Sequence, residues 1–221
     1  MVAAILVITG LAASAGYRTR LALLGFLACL VYVTFADRMT AFTVNKLGSV
    51  LIAALLFTPC GAAYGVDAWI RSRRTGMPAP AWVTWGNVRF FQVLLVTLYA
   101  LTGVAKIQGE WLTHPYVLWT HLHDSYQTVV TYGIANALPS LAWPVLAQIV
   151  LWLEVLAPLW FILRPTRLPA LILALGMHGF IGLCFGPVIW FALLMAVLVF
   201  GAFAPLPWLR VLLRRPTLAP G

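Results

Sequence analysis

The sequence predicts an all-α, polytopic membrane protein of about seven transmembrane helices. Three observations carry that reading. First, 63% of the 221 residues are hydrophobic and only 9% are charged, more apolar surface than a soluble core of this length can hide. Second, the apolar residues fall in repeated runs close to membrane-spanning length. Third, no stretch alternates polar and apolar residues in the manner of an outer-membrane barrel strand.

The apolar runs cover residues 2–16, 20–36, 47–66, 86–106, 141–163, 168–185 and 187–204. The first, second and last are short against the roughly 20 residues a crossing requires. The basic residues punctuate them. Arg18 and Arg20 close the first run, and Arg71, Arg73, Arg74 and Arg89 bracket the connection after the third. Arg164 and Arg167 follow the fifth, and Arg210, Arg214 and Arg215 lie in the tail. With seven spans these eleven cations share one side, and Arg38, Lys46 and Lys106 are left for the other. The positive-inside rule then predicts an outside N-terminus and a cytoplasmic C-terminus in a bacterial plasma membrane. Residues 1–207 form one membrane domain in this reading, and 208–221 a short basic cytoplasmic tail. The first run ends in Ala13-Ser14-Ala15 but has no basic residue ahead of it, so it is expected to stay as a span rather than be cleaved as a signal peptide.

The net charge of +9 is explained by these helix-end arginines. No basic-aromatic patch points to nucleic acid. Cys29, Cys60 and Cys184 all lie in apolar runs and form no CxxC, so they read as buried small hydrophobes. P-loop, GxSxG, GxGxxG and HExxH motifs are absent from the sequence, which removes support for nucleotide hydrolysis, serine hydrolysis and zinc proteolysis.

The segment 107–140 is the one long connection between apolar runs and falls on the extracytoplasmic side. It carries Trp111, His114, Tyr116, Trp119, His121, His123, Asp124, Tyr126 and Tyr132. Such amphipathic aromatics favour the headgroup zone, so short interfacial or re-entrant helices are expected there. His121, His123 and Asp124 form H-x-H-D. Two histidines so spaced share a metal on a strand but point apart on a helix, and no metal site is predicted.

Three ionisable residues sit in or beside the apolar runs. Lys106 ends the fourth, and Tyr99, Thr102 and Gly103 lie on its face at helical spacing, with Gln92 two heptads back. This polar stripe is expected to face protein or water rather than lipid. Glu154 lies inside the fifth run, four residues before Pro158. Proline cannot donate the helix bond to the carbonyl at i−4, so the backbone at Glu154 is freed as well. His178 lies in the sixth run among Gly176, Gly179 and Gly182, which predicts a face packed closely on a neighbouring helix.

These residues together resemble a known family. GYRTR at 16–20, TPCGAAYGVDAW at 58–69 and VRFFQ to YALTGVAKIQGEW at 88–111 carry the likeness, followed by LEVLAPLWFILRPTR at 153–167 and MHGF at 177–180. The chain is similar to the horizontally transferred transmembrane (HTTM) domain family, which includes the membrane part of vitamin K-dependent gamma-glutamyl carboxylase. The resemblance implies that Lys106 is a base that deprotonates a reduced quinone, menaquinol or vitamin K hydroquinone-like. It implies catalytic roles for Glu154 and His178 also, and substrate contacts for Tyr99, Trp111 and His123. The carboxylase has a large extracytoplasmic domain without counterpart here, and Ala105 stands where the first lysine of its lysine pair is expected. What is implied is therefore chemistry on a quinol or isoprenoid lipid rather than glutamate carboxylation. The implied partners are membrane lipid and a lipid-soluble substrate, with the protein partner unknown. Desolvation favours the neutral amine a base requires, whereas an adjacent Glu154 carboxylate opposes it. A non-enzymatic accessory, immunity or transport-assisting module of the same fold is the alternative.

Overall fold

In the computed structural model, residues 1–36, 43–77, 85–123 and 127–205 are described. Arg38, Asp124, Tyr126 and the basic tail with Arg210, Arg214 and Arg215 lie outside them. The described residues form helices joined by turns, and an isolated antiparallel bridge pairs Gln127 with Phe185. The chain divides into two units, Met1–Asn87 and Val88–Gly221.

The first unit holds α1 (Val2–Ala15), α2 (Thr19–Ala36), α3 (Thr43–Leu56) and α4 (Val66–Thr75). Gly16 ends α1 in the left-handed conformation, as C-terminal glycines commonly do. The third apolar run is helical only as far as Leu56, and turns occupy the residues up to Gly65. Pro59 and the left-handed Gly61 (φ 77°) follow directly and cannot continue a helix readily. Ala22, Leu23, Leu51, Ala54 and Ala68 are the buried apolar residues of this unit.

The second unit is built on α5 (Trp85–Gln108), whose first residues precede the boundary. Two short helices, α6 (Val117–Leu122) and α7 (Val129–Ala137), occupy the long connection. They match the short helices expected between residues 107 and 140. Buried Val117, Leu118 and Leu122 of α6 pack with Trp143, Ala147 and Cys184. Thr128 and Thr131 form a reciprocal capping box at the start of α7. Their hydroxyls also donate to the carbonyls of Leu183 (2.8 Å) and Cys184 (2.5 Å), which ties α7 to the end of the sixth apolar run.

The fifth apolar run is not one helix. It divides into α8 (Ala142–Val155) and α9 (Ala157–Ile162), with Leu156 between. Pro158 in the first turn of α9 supplies the cause, since it has no amide hydrogen to extend the preceding helix. After it come α10 (Arg164–Cys184), a 3-10 turn at Gly186–Val188 and α11 (Ile189–Phe203). Gly182 of α10 packs against Ala192 of α11, but nothing approaches the open faces of Gly176 and Gly179. The close packing expected around His178 is therefore confined to one glycine.

Four helical stretches, Thr19–Ala36, Gly86–Gln108, Arg164–Cys184 and Gly186–Phe203, are long and apolar enough to cross a membrane. α7 and α8 meet at 117° and make a fifth if the pair is one broken span. α1 and α3 are shorter apolar helices of 14 residues each. Phe35, Trp190 and Val197 keep most of their surface exposed, as lipid-facing side chains do.

Candidate functional site

The polar stripe on α5 finds a partner at almost every step. Gln92 Nε2 donates to the Ala202 carbonyl of α11 at 2.7 Å. Tyr99 and His178 are both buried, and the Tyr99 hydroxyl lies 2.6 Å from His178 Nε2. Thr102 is the exception, its hydroxyl donating to the Tyr99 carbonyl one turn back. Gly103 faces the α8–α9 break, and Lys106 pairs with Glu154. Apart from exposed Thr102, the stripe thus faces protein, as its cost in lipid requires.

Gly103 sets the height of this arrangement. A Cβ added there would come within 2.6 Å of Val155 N and 2.9 Å of Glu154 C. Only a glycine lets the α5 backbone reach the break this closely, and the contact brings the next turn of α5 level with Glu154. Lys106 Nζ then donates to Glu154 Oε2. The glutamate side chain is 9% exposed and the lysine 21%, so the carboxylate is the more enclosed partner and the ammonium keeps an open side.

On that side lies a cavity of about 430 Å³, lined by Thr102, Ala105, Lys106, Trp111, Val117 and His121 together with Gly109 and Glu110. Its volume is in the usual range for small-molecule sites, about 300–1,000 Å³. Lys106 Nζ stands 5.1 Å from the Trp111 ring centroid, within cation–π range. The Trp111 and His121 rings are 6.2 Å apart.

His121 was visible in the sequence only as part of H-x-H-D. Its Nδ1 sits 2.7 Å from the Val117 carbonyl, so that nitrogen carries the proton and Nε2 of the neutral ring is an acceptor. His123, two residues on, stacks on Trp119 at 4.0 Å between centroids, and its Nδ1 meets the Trp119 carbonyl at 2.8 Å. It does not line the cavity. The two histidines diverge because His121 stands in the last turn of α6 and His123 is its C-cap. What separates His121 from His123 is the face each one occupies, which is legible only once α6 is known to be a helix.

Tyr99 and His178 lie one layer behind the cavity rather than on its wall. His178 Nδ1 is buried without a hydrogen-bond partner among the described residues. The Tyr99 ring also packs on Phe161 at 5.8 Å, and Phe161 on Phe203 at 4.4 Å. Among the described residues, no three His, Cys, Asp or Glu side chains converge as a metal site would require.

The order and chemistry of these helices have a counterpart in known sequences. The HTTM domain family matches residues 1–205. The chain belongs to the HTTM family. The match makes it an integral membrane protein, in accord with its apolar helices, and the family implies likeness to the carboxylase membrane domain. No curated protein and no solved structure matches this HTTM chain.

Proposed function

We propose that the protein is a membrane-embedded enzyme acting on a lipid-soluble quinol or isoprenoid lipid, with Lys106 as the proton acceptor. The observation that supports this most directly is the Lys106–Glu154 pair at the edge of a cavity walled by an indole and an imidazole. The wall suits a planar hydroxyl-bearing ring. Trp111 offers a flat face, Ala105 and Val117 offer apolar contact, and His121 Nε2 offers an acceptor. A bound quinol supplies the acidic hydroxyl and the oxidisable ring.

The adjacency of Lys106 and Glu154 is compatible with base chemistry if the pair works as a unit. Transfer of one proton from Nζ to the Glu154 carboxylate leaves a neutral amine and a carboxylic acid. The amine then accepts a substrate proton at Nζ. The pair ends with one net positive charge, which balances the negative charge created on the substrate. Tyr99 and His178 act as positioning residues in this reading, holding α5 against α10 beneath Lys106. Trp111 and His121 contact the ring, while His123, stacked on Trp119, has no contact with it.

The finer topology belongs to the same proposal. α1, α3 and the α8–α9 pair complete seven crossings in a bacterial plasma membrane, with the N-terminus outside and the C-terminus cytoplasmic. The arginine distribution supports this orientation, and it opens the Lys106 cavity toward the outer leaflet.

The test uses the full chain in lipid nanodiscs with a reduced short-chain naphthoquinone. Saturable binding and turnover are expected, with Lys106→Met lowering turnover about 10²–10⁴-fold, as loss of a general base does. Unchanged turnover in Lys106→Met sinks the assignment. A second reading is a non-enzymatic accessory, immunity or transport-assisting module, in which the pair only clasps α5 to α8. Wild-type protein that neither binds nor turns over quinols or isoprenoid lipids supports that reading instead.

A further inference from the structure

A second cavity lies wholly in the first unit and has no part in the proposed reaction. It measures about 520 Å³ and is lined by Arg18, Thr19, Arg20, Asp67 and Arg71, with the 59–62 turn closing one side. GYRTR and the TPCGAAYGVD stretch, far apart in sequence, meet here.

The meeting is built with some care. Asp67 accepts from the backbone amides of Arg18 and Thr19, both at 2.9 Å, and from the Thr19 hydroxyl at 3.0 Å. The Asp67 amide in turn donates to the Gly16 carbonyl at 2.8 Å. Gly61 is left-handed, and a Cβ there would lie 2.3 Å from Thr19 Oγ1. Arg18 itself has φ 43°, a conformation that costs a side-chain-bearing residue about 1–3 kcal/mol and clusters at functional positions.

The outcome of this construction is a concave site with an excess of cation. Its one carboxylate is already satisfied by three donors, and none of the three guanidiniums pairs with a carboxylate within 4.0 Å among the described residues. Arg18 leans over the Tyr17 ring at 5.8 Å, and Arg71 reaches the Gly61 carbonyl at 3.5 Å. All three remain exposed. A topology signal needs positive charge somewhere near a helix end. It needs neither a cavity nor a left-handed arginine.

We propose that this cavity binds a phosphate group, held by Arg18, Arg20 and Arg71. Guanidinium forks match phosphate oxygens in pairs. The phosphate belongs either to an anionic lipid headgroup or to a soluble phosphate, and the two sources share one recognition chemistry.

The test compares the wild-type chain with an Arg20→Lys/Arg71→Lys double variant, which keeps charge and topology but loses the forks. An Arg164→Lys variant serves as control. In the lipid arm, native mass spectrometry counts phosphatidic acid retained from phosphatidylcholine nanodiscs. In the soluble arm, inorganic phosphate is titrated in pure phosphatidylcholine nanodiscs and the melting temperature is followed. Retention weakened at least fivefold in the double variant alone assigns a lipid phosphate. A phosphate-induced rise in melting temperature, lost in the double variant alone, assigns a soluble one. If the double variant behaves like wild type and control in both arms, the proposal is overturned and the arginines serve topology only.

Discussion

Gly103 and Val155 meet backbone to backbone, with a Cβ at residue 103 destined to fall 2.6 Å from Val155 N. The obstacle is main chain, which cannot swing aside as a side chain does. Gly103→Ala is therefore expected to push α5 from the α8–α9 break, at the roughly 1–3 kcal/mol typical of overpacking. Thermal unfolding in detergent measures the cost. A melting temperature equal to wild type would show that the approach is not tight.

Lys106 and Glu154 should behave as a coupled pair. Removing one partner leaves the other charge enclosed, at about 3–5 kcal/mol for a buried pair, less here because Lys106 keeps 21% of its surface. Lys106→Met and Glu154→Gln are each expected to destabilise, while the double variant costs clearly less than their sum. A double-mutant cycle on unfolding reads this directly. Additive losses would mean that the two side chains do not share an interaction.

Tyr99→Phe keeps the ring contact with Phe161 but removes the hydroxyl from His178 Nε2. His178 Nδ1 is already unpartnered among the described residues, so the variant leaves both ring nitrogens without a bond. A loss of about 1–3 kcal/mol is expected for the buried group. Because Tyr99 lies behind the cavity, the proposed quinol chemistry requires affinity to change less than turnover. An equal loss in both would make Tyr99 a ligand contact instead.

Asp67 gives the first unit a pH dependence. The Thr19 amide, then the Arg18 amide, the Thr19 hydroxyl and nearby Arg71, outweigh partial burial and hold its carboxyl below the ordinary 3.8. A depressed folded value stabilises above the unfolded value, and that contribution is lost as pH falls from about 4 through the folded value. Asp67→Asn should weaken the wild-type chain at neutral pH and flatten the acid limb of its melting curve. An acid limb that is unchanged in the variant would place the titration elsewhere.

Much of this was legible from periodicity and cost. The seven apolar runs all contain helix, and the stripe from Gln92 to Lys106 does turn toward protein. That follows because a polar side chain in lipid must find a partner, whichever helix supplies it. A Lys106–Glu154 pair was among the alternatives the sequence offered, but the remaining partners were not legible. Nothing in the sequence pairs Tyr99 with His178, which lie 79 residues apart. Run boundaries failed where local chemistry overrode hydropathy. Phe57 to Gly65 is apolar enough to extend the third helix, but Pro59 and Gly61 stop it. His121 was overlooked for a different reason, since the choice between two histidines depended on the helical state of a six-residue segment.

The break at Leu156 has a consequence for how the protein is made. α8 alone has 14 residues, about 21 Å at 1.5 Å per residue, which falls short of a hydrocarbon core of about 30 Å. Under the proposed seven-crossing topology it needs α9 to complete a crossing, and Glu154 stands two residues before the break. During synthesis Lys106 emerges first, and its counter-charge follows 48 residues later. Until then the carboxylate nearest the lysine in sequence is the exposed Glu110 on the same cavity wall, and the enclosed partner is still to come. Formation of the pair is thus a late event in assembly. A chain whose α5 is misplaced would leave Glu154, the more enclosed of the two, without its counter-charge.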